Sequence, residues 1–357
     1  MSHRLNGLAV NVRQIIEQRQ AEWLAPAAAR ADLATRPIAE EESDVRTAFQ
    51  RDRDRILHSK AFRRLKHKTQ VFLSPSGDHV RTRLTHTLEV TQIARTIARA
   101  LDLNEDLTEA IGLGHDLGHT PFGHTGERAL ARMFPGFRHN EQSLRVVDRL
   151  EKDGAGLNLT NETRDGILRH SKPEAGIAGE IAGTPASAEA QIVKISDGIA
   201  YINHDFDDAM RAGLIDAQDL PESVGMTLGT THSQRINTLV HDVIACSRPL
   251  LASPVDGRQV IQMSDGILAA ADEMRAFLFE RVYHPVNRRP ATKQAERMIE
   301  MLFEYYVANA DETPEAFAPS LSGETTERRV ADVISGMTDR YALNTFSALF
   351  LPFPEEH

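Results

Sequence analysis

The sequence predicts an all-α fold, with at most a short β-hairpin near residues 70–83. Two observations carry this: apolar residues recur at three- and four-residue spacing along most of the chain, and alternating strand patterns are scarce. No internal repeat is present. The 357 residues suffice for one large domain or two ordinary ones, so burial of a core is not limiting.

Taken in order, residues 1–45 read as a loosely packed N-terminal arm. It holds a helix from Asn11 to Trp23 and an Ala-rich linker running to Arg36-Pro37. The core is placed at 46–345, and 346–357 is a C-terminal tail. The core opens on a basic run of Arg51, Arg53, Arg55, Lys60, Arg63, Arg64, Lys66 and Lys68, opposed locally by Asp52 and Asp54. Such a run is either a solvated helix face or a site for a polyanion, and charge alone does not separate the two. Ser74-Pro75-Ser76-Gly77-Asp78 is a turn.

From His86 to Leu101, apolar residues at 90, 93, 94, 97, 98 and 101 predict an amphipathic helix, with Arg83 one turn before His86. Asp106 and Glu109 resemble a capping box opening the next helix, which runs into His115-Asp116. Asn140 reads as the N-cap of a helix ending near Asp153-Gly154, and Asn161 begins a short one reaching His170. Between Ser187 and Met210, Ile192, Ile195, Ile199 and Ile202 make one stripe. Asp197, Tyr201, Asp205 and Asp208 make another, which suggests a lined cavity. Further helices are expected at about 231–247, 265–284, 291–309 and 324–350.

Cellular context follows from composition. A single cysteine, Cys246, excludes an intrachain disulfide and suits a reducing cytosol; its apolar neighbours predict burial. No apolar stretch of about 18 residues and no signal-peptide pattern occur, so a cytoplasmic protein with no membrane partner is expected. A net charge of −10 argues against nucleic-acid binding over the whole surface, though not against a local patch.

The chemistry concentrates in 114–127, Gly-His-Asp-Leu-Gly-His-Thr-Pro-Phe-Gly-His-Thr-Gly-Glu. Three histidines, one directly before an aspartate, crowd among four glycines. Imidazole and carboxylate together suit a divalent metal that keeps positions open for water or substrate. With His86 before it and Asp197 after it, the pattern is H…HD…D.

That pattern resembles the HD-domain superfamily of metal-dependent phosphohydrolases. Longer segments narrow the resemblance to the deoxynucleoside triphosphate triphosphohydrolases, in their bacterial dGTPase-like branch. These are Arg51 to Leu65, Lys68 to Phe72, Arg83 to Val90, 114–127, His139 to Ser143, Ser196 to Tyr201, Phe279 to Pro285 and Met337 to Leu343.

The resemblance implies a helical HD fold and cleavage of a dNTP, dGTP among the candidates, to deoxynucleoside and inorganic triphosphate. It implies metal binding by His86, His115, Asp116 and Asp197. The ion is Mg²⁺ or Mn²⁺ first, with Co²⁺, Ni²⁺, Fe²⁺ or Zn²⁺ as the other choices, since two imidazoles suit ions softer than Mg²⁺. It makes His124 the proton-transfer residue oriented by Glu127, and places His139 near the phosphates. His119 matches the motif as a structural or phosphate-facing residue. Arg83 would clamp phosphate, and Gln70, Tyr201 and Asp205 would meet the sugar. Relatives often carry a basic residue directly after the metal aspartate; here it is Gly198, and Lys194 is the candidate substitute. A homo-oligomer is also implied, with a regulatory dNTP or single-stranded nucleic acid as further partners. The alternatives are another HD-superfamily reaction, nucleotidase or phosphodiesterase, and a silent scaffold that binds nucleotide or single-stranded nucleic acid.

Overall fold

A computed structural model describes residues 11–70, 81–171, 183–255, 257–319 and 321–351. Among them the regular structure is helical: α1 (Val12–Trp23), α2 (Ala48–Leu57), α3 (Lys60–Arg64), α4 (Arg83–Ala100), α5 (Glu105–Gly114), α6 (Gly123–Met133), α7 (His139–Arg145), α8 (Asn161–Arg169), α9 (Ala188–Arg211), α10 (Glu222–Leu228), α11 (His232–Ser247), α12 (Asp265–Leu278), α13 (His284–Asn287), α14 (Pro290–Ala308), α15 (Thr326–Gly336) and α16 (Asp339–Phe350). The expected hairpin falls mostly outside the described residues. Its flanks, Thr69 and Thr82, form one isolated antiparallel bridge. No described helix is long and apolar enough to cross a membrane.

Helix α5 is the structural centre. Leu107, Thr108, Ala110, Ile111, Gly112, Leu113 and Gly114 are all buried, so most of the helix faces protein. Leu107 and Ile111 join a core built from α4, α9, α11 and α12; Ala110 and Leu113 join a second core with α3, α6, α14 and α15. At the last residue of α5, Gly114, a Cβ would sit 2.7 Å from Ile167 Cδ1 of α8, so that side chain would have to shift. The His115-Asp116 pair is therefore delivered by the helix that both cores grip.

Several helix starts differ from the sequence reading. Asn104, not Asp106, caps α5, accepting from the amides of Asp106 and Leu107. Helix α7 begins at His139, and Asn140 instead donates to Leu168 O at 2.6 Å. The expected helix over 324–350 is two helices, because Met337 is extended and Thr338 caps a new start at Asp339. Helix α9 is capped by Ser187, whose Oγ accepts from Ala190 N; such caps contribute roughly 1 kcal/mol.

The Ala-rich segment expected to be a linker packs onto the first core. Ala27 and Ala31 are 5% and 4% exposed, and Ala29 N donates to the buried Glu189 carboxylate at 3.0 Å. Small side chains permit that close approach. Cys246 is only half-buried, with its thiol toward Asp242.

Four of the eight basic residues in the run pair with acids, most of them distant in sequence. Arg51 and Arg55 meet Glu40, Arg53 reaches Asp54, Asp106 and Glu109, and Lys60 meets Asp153. Lys68 is buried and donates to the carbonyls of His119 and Ser335. These pairings favour a structural face over a polyanion site.

Candidate active site

One cavity of about 350 Å³ gathers most of the residues singled out from sequence: Gln70, Arg83, His86, Asp116, His119, His124, His139, Asp197, Gly198 and Tyr201. Five helices supply most of them. α4 presents Arg83 and His86 on its buried side, the end of α5 leads into Asp116, α6 and α7 carry His124 and His139, and α9 crosses with Asp197.

His86, His115 and Asp197 bring their ligand atoms within 4.8 Å of one another. His86 Nε2 lies 3.1 Å from Asp197 Oδ1. His115 Nδ1 donates to Gly112 O at 2.7 Å, which fixes the tautomer and leaves Nε2 as a buried lone pair without a partner. An orphaned imidazole nitrogen facing a carboxylate is what a metal-binding cluster requires, so these residues fit a divalent ion. Asp116 Oδ2 is 3.7 Å from His115 Nε2 and accepts from Arg83 at 2.6 Å. Burial opposes ionisation of Asp116, but Arg83 and the surrounding imidazoles outweigh it and hold the carboxyl well below its usual range.

A second set of groups centres on Glu127. One carboxylate oxygen accepts from both the backbone amide and Nδ1 of His139 at 2.8 Å; the other meets Nδ1 of His124 at 3.1 Å. The i, i+3 contact expected between His124 and Glu127 forms because both lie in the first turns of α6. His139 is pushed up: burial lowers it, and Glu127 more than compensates. His119 stacks on His139 at 4.6 Å and has no hydrogen-bond partner on either ring nitrogen. Its burial, then Arg83 and His139, hold it well below the ordinary histidine range, so it is neutral.

Toward the mouth, the Tyr201 ring stacks on Tyr283 at 5.6 Å, and the Tyr283 hydroxyl donates to Asp205 at 2.5 Å. Asp205 stands behind Tyr283 and is not among the cavity-lining residues; burial pushes its carboxyl up to about 7. Gln70 is buried with its side-chain oxygen unpaired.

Lys194 does not line the cavity; it is buried on α9. The cations at the wall are Arg83, Arg128 and Arg275, and the last two were missed in the sequence. Arg128 is tied to Asn287 and Glu296, and Arg275 sits over the Phe279 ring at 4.7 Å. His170 was also missed as a site residue. It caps the end of α8, is 1% exposed, and lines the cavity beside His115 and His139. Its only sequence signal was that it is another histidine.

Comparison with known proteins agrees with this arrangement. An HD domain model matches residues 83–202, and a phosphohydrolase-associated domain model matches 261–348. A deoxyguanosinetriphosphate triphosphohydrolase-like protein of Caldanaerobacter subterraneus subsp. tengcongensis is 53% identical over 347 residues, which is 97% of each chain. One from Desulfatibacillum aliphaticivorans is 48% identical, covering 97% of this chain and 99% of the relative. One from Roseobacter denitrificans is 42% identical over 88% and 94%. With such identity over nearly the whole length, and the HD model centred on the cavity, the chain belongs to the deoxyguanosinetriphosphate triphosphohydrolase-like family of HD-domain phosphohydrolases.

Proposed function

We propose that the protein hydrolyses deoxynucleoside triphosphates, dGTP among them, to deoxynucleoside and inorganic triphosphate. His86, His115, Asp116 and Asp197 would hold a divalent ion, with Mn²⁺ and Mg²⁺ the first choices. When bound, the ion would supply Lewis-acid stabilisation of charge on the phosphoryl group and a water of lowered pKa.

The observation that carries the reading is Glu127, shared between His124 and His139 beside the metal-type cluster in one cavity. The departing 5′-oxygen of a nucleoside is a poor leaving group unless it receives a proton. His124 is half-exposed at the cavity wall, with Glu127 fixing its Nδ1, so Nε2 is left to exchange that proton. His139, His119 and Arg83 line the phosphate end, where Arg83 adds a fixed positive charge. Tyr201, backed by Tyr283 and Asp205, would close the sugar pocket against a 2′-hydroxyl. Gln70 would read the 3′-hydroxyl through its unpaired amide oxygen.

Product analysis tests the proposal. Each dNTP is incubated with the protein and, in turn, Mg²⁺, Mn²⁺, Co²⁺, Ni²⁺, Fe²⁺ or Zn²⁺, and products are resolved by chromatography. Deoxynucleoside with triphosphate supports the reading; dNDP with orthophosphate, or no turnover with any of the six metals, overturns it.

A further inference from the structure

We infer that Arg128 and Asn287 form a base-reading pair that favours purines with a carbonyl at C6 over purines with an amine there. This rests on the dNTP reading of the cavity, and concerns the base of the nucleotide rather than the metal or the bond that is cut.

Two turns of helix locate the pair. On α6, Arg128 stands four residues after His124; on the opposite wall, Asn287 stands four residues after Tyr283 in the helical run 279–287. Residues four apart share a helix face and lie about 6 Å apart along it. His124 faces the leaving 5′-oxygen and Tyr283 backs the sugar filter, so one turn beyond each is where the base of that sugar arrives. The two walls meet there: Arg128 Nη2 donates to Asn287 Oδ1 at 2.9 Å, and both residues line the cavity. The other bonds of Arg128 go to Thr125 Oγ1 at 3.5 Å and Glu296 Oε1 at 3.2 Å, neither of them a metal-type residue. Phe279 and Val286 line the cavity beside the pair and offer apolar surface to the face of a ring.

The hydrogen bonds already made decide what the pair can read. Asn287 uses its carbonyl oxygen on Arg128, so its NH₂ group is what it has left to offer; that nitrogen has no partner among the described residues. All three bonds of Arg128 leave from Nη2, so Nε and Nη1 are likewise without a partner there. A guanidinium carries donors only. The neighbouring carboxylate adds no acceptor: Glu296 is buried and off the cavity lining, with Oε1 held by Arg128 and Oε2 by Arg132 and Lys293. What faces the base is therefore a row of donors. A 6-carbonyl purine turns O6 and N7 toward it as adjacent acceptors, which two N–H groups match. A 6-amino purine turns N7 and an N–H donor toward it, so one of the two bonds is replaced by a meeting of donors. The 2-amino group lies on the far side of the ring and is not read by this pair.

Purines that differ in one edge test this on the full-length protein. kcat/KM is measured for dITP and dATP, which differ at C6 and its neighbour N1, and for dGTP, with products resolved by chromatography. The wild type is expected to favour dITP over dATP at least about tenfold and to turn over dGTP within about threefold of dITP. Arg128→Met keeps the length and removes the donors, and should bring the dITP/dATP ratio to within about threefold of one. Asn287→Asp puts an acceptor where the NH₂ stood, and should shift the ratio toward dATP. A wild-type ratio near one overturns the inference, and so does an unchanged ratio in either variant, which would make Arg128 a phosphate contact or a tie between α6 and α13. A dGTP preference well above that for dITP places the reading on the 2-amino group and also overturns it. Should Arg128→Met fail to fold, the wild-type ratio and Asn287→Asp decide. Products other than triphosphate sink the hydrolase reading and leave the ratio to judge the base; with no turnover, the same ratio is taken from dissociation constants by calorimetry.

Discussion

His139 Nδ1 lies 2.8 Å from Glu127 Oε1, and the backbone amide of His139 meets the same oxygen. Glu127 thereby sets the start of α7 as well as the ring, while its other oxygen orients His124. It stays ionised: burial opposes this, but His139 and His124 hold it well below the usual carboxylate range. Glu127→Gln keeps the shape and removes the charge. Its expected effect is a fall in kcat of about 10²–10³, in the range that general acid–base groups contribute, with a smaller change in KM. Metal analysis of the same variant should match the wild type; lost metal would reassign Glu127 to a structural task.

The stacked Tyr201–Tyr283 pair predicts a sugar filter. Tyr201→Ala opens the space beside Asp197 and leaves Tyr283 on Asp205. The ratio of kcat/KM for dGTP over GTP is expected to fall at least roughly tenfold, about 1.4 kcal/mol of discrimination. An unchanged ratio would refute the steric account.

Stability should depend on pH through Glu189. Its Oε1 accepts from the amides of Ala29 and Asn104, its Oε2 is buried without a partner, and burial pushes the carboxyl up to about 7. The folded chain thus holds this proton more tightly than the unfolded chain, whose value is near 4.5. The resulting stability is complete below about pH 4.5 and is lost as pH rises through 7. Glu189→Gln retains the Oε1 acceptor and should flatten this slope, by up to roughly 3 kcal/mol between the two limits. Urea titrations from pH 5 to 8 measure it, and parallel slopes would reject the assignment.

Gly118 is a tight joint in the 114–127 segment. A Cβ there would fall 2.2 Å from Ser143 N and 2.3 Å from Gln142 C, both rigid backbone of α7. Gly118→Ala is expected to cost at least about 3 kcal/mol and to lower activity, because α7 must move away with His139. A melting temperature within a degree or two of wild type would contradict this.

How much was legible follows from how local each signal is. The stripes of α4 and α9 and the 114–127 segment depend on neighbours within a few turns, so sequence spacing exposed them. His170 and Arg275 depend on where α8 and α12 land against α5 and α9, which no spacing encodes. The acid partners of the basic run were hidden likewise: Glu40, Asp106 and Asp153 meet Arg51, Arg53 and Lys60 only after folding. Caps were misread where two short polar side chains competed, as with Asn104 and Asp106. Lys194 lies off the cavity lining, buried on α9, a placement that its spacing from Asp197 does not encode.

Phe122 holds a left-handed backbone, φ 61°, two residues before His124, a conformation costing about 1 kcal/mol or more for a residue with a Cβ. Asp339 Oδ1 accepts the Phe122 amide at 2.9 Å, and Oδ2 accepts both the amide and hydroxyl of Thr69, next to Gln70. One side chain, 217 positions after Phe122, thus fastens two walls of the cavity. Because synthesis runs from the N-terminus, every metal-type residue exists long before the clasp that tensions the turn at His124. The growing chain therefore lacks this clasp until residue 339 has been made.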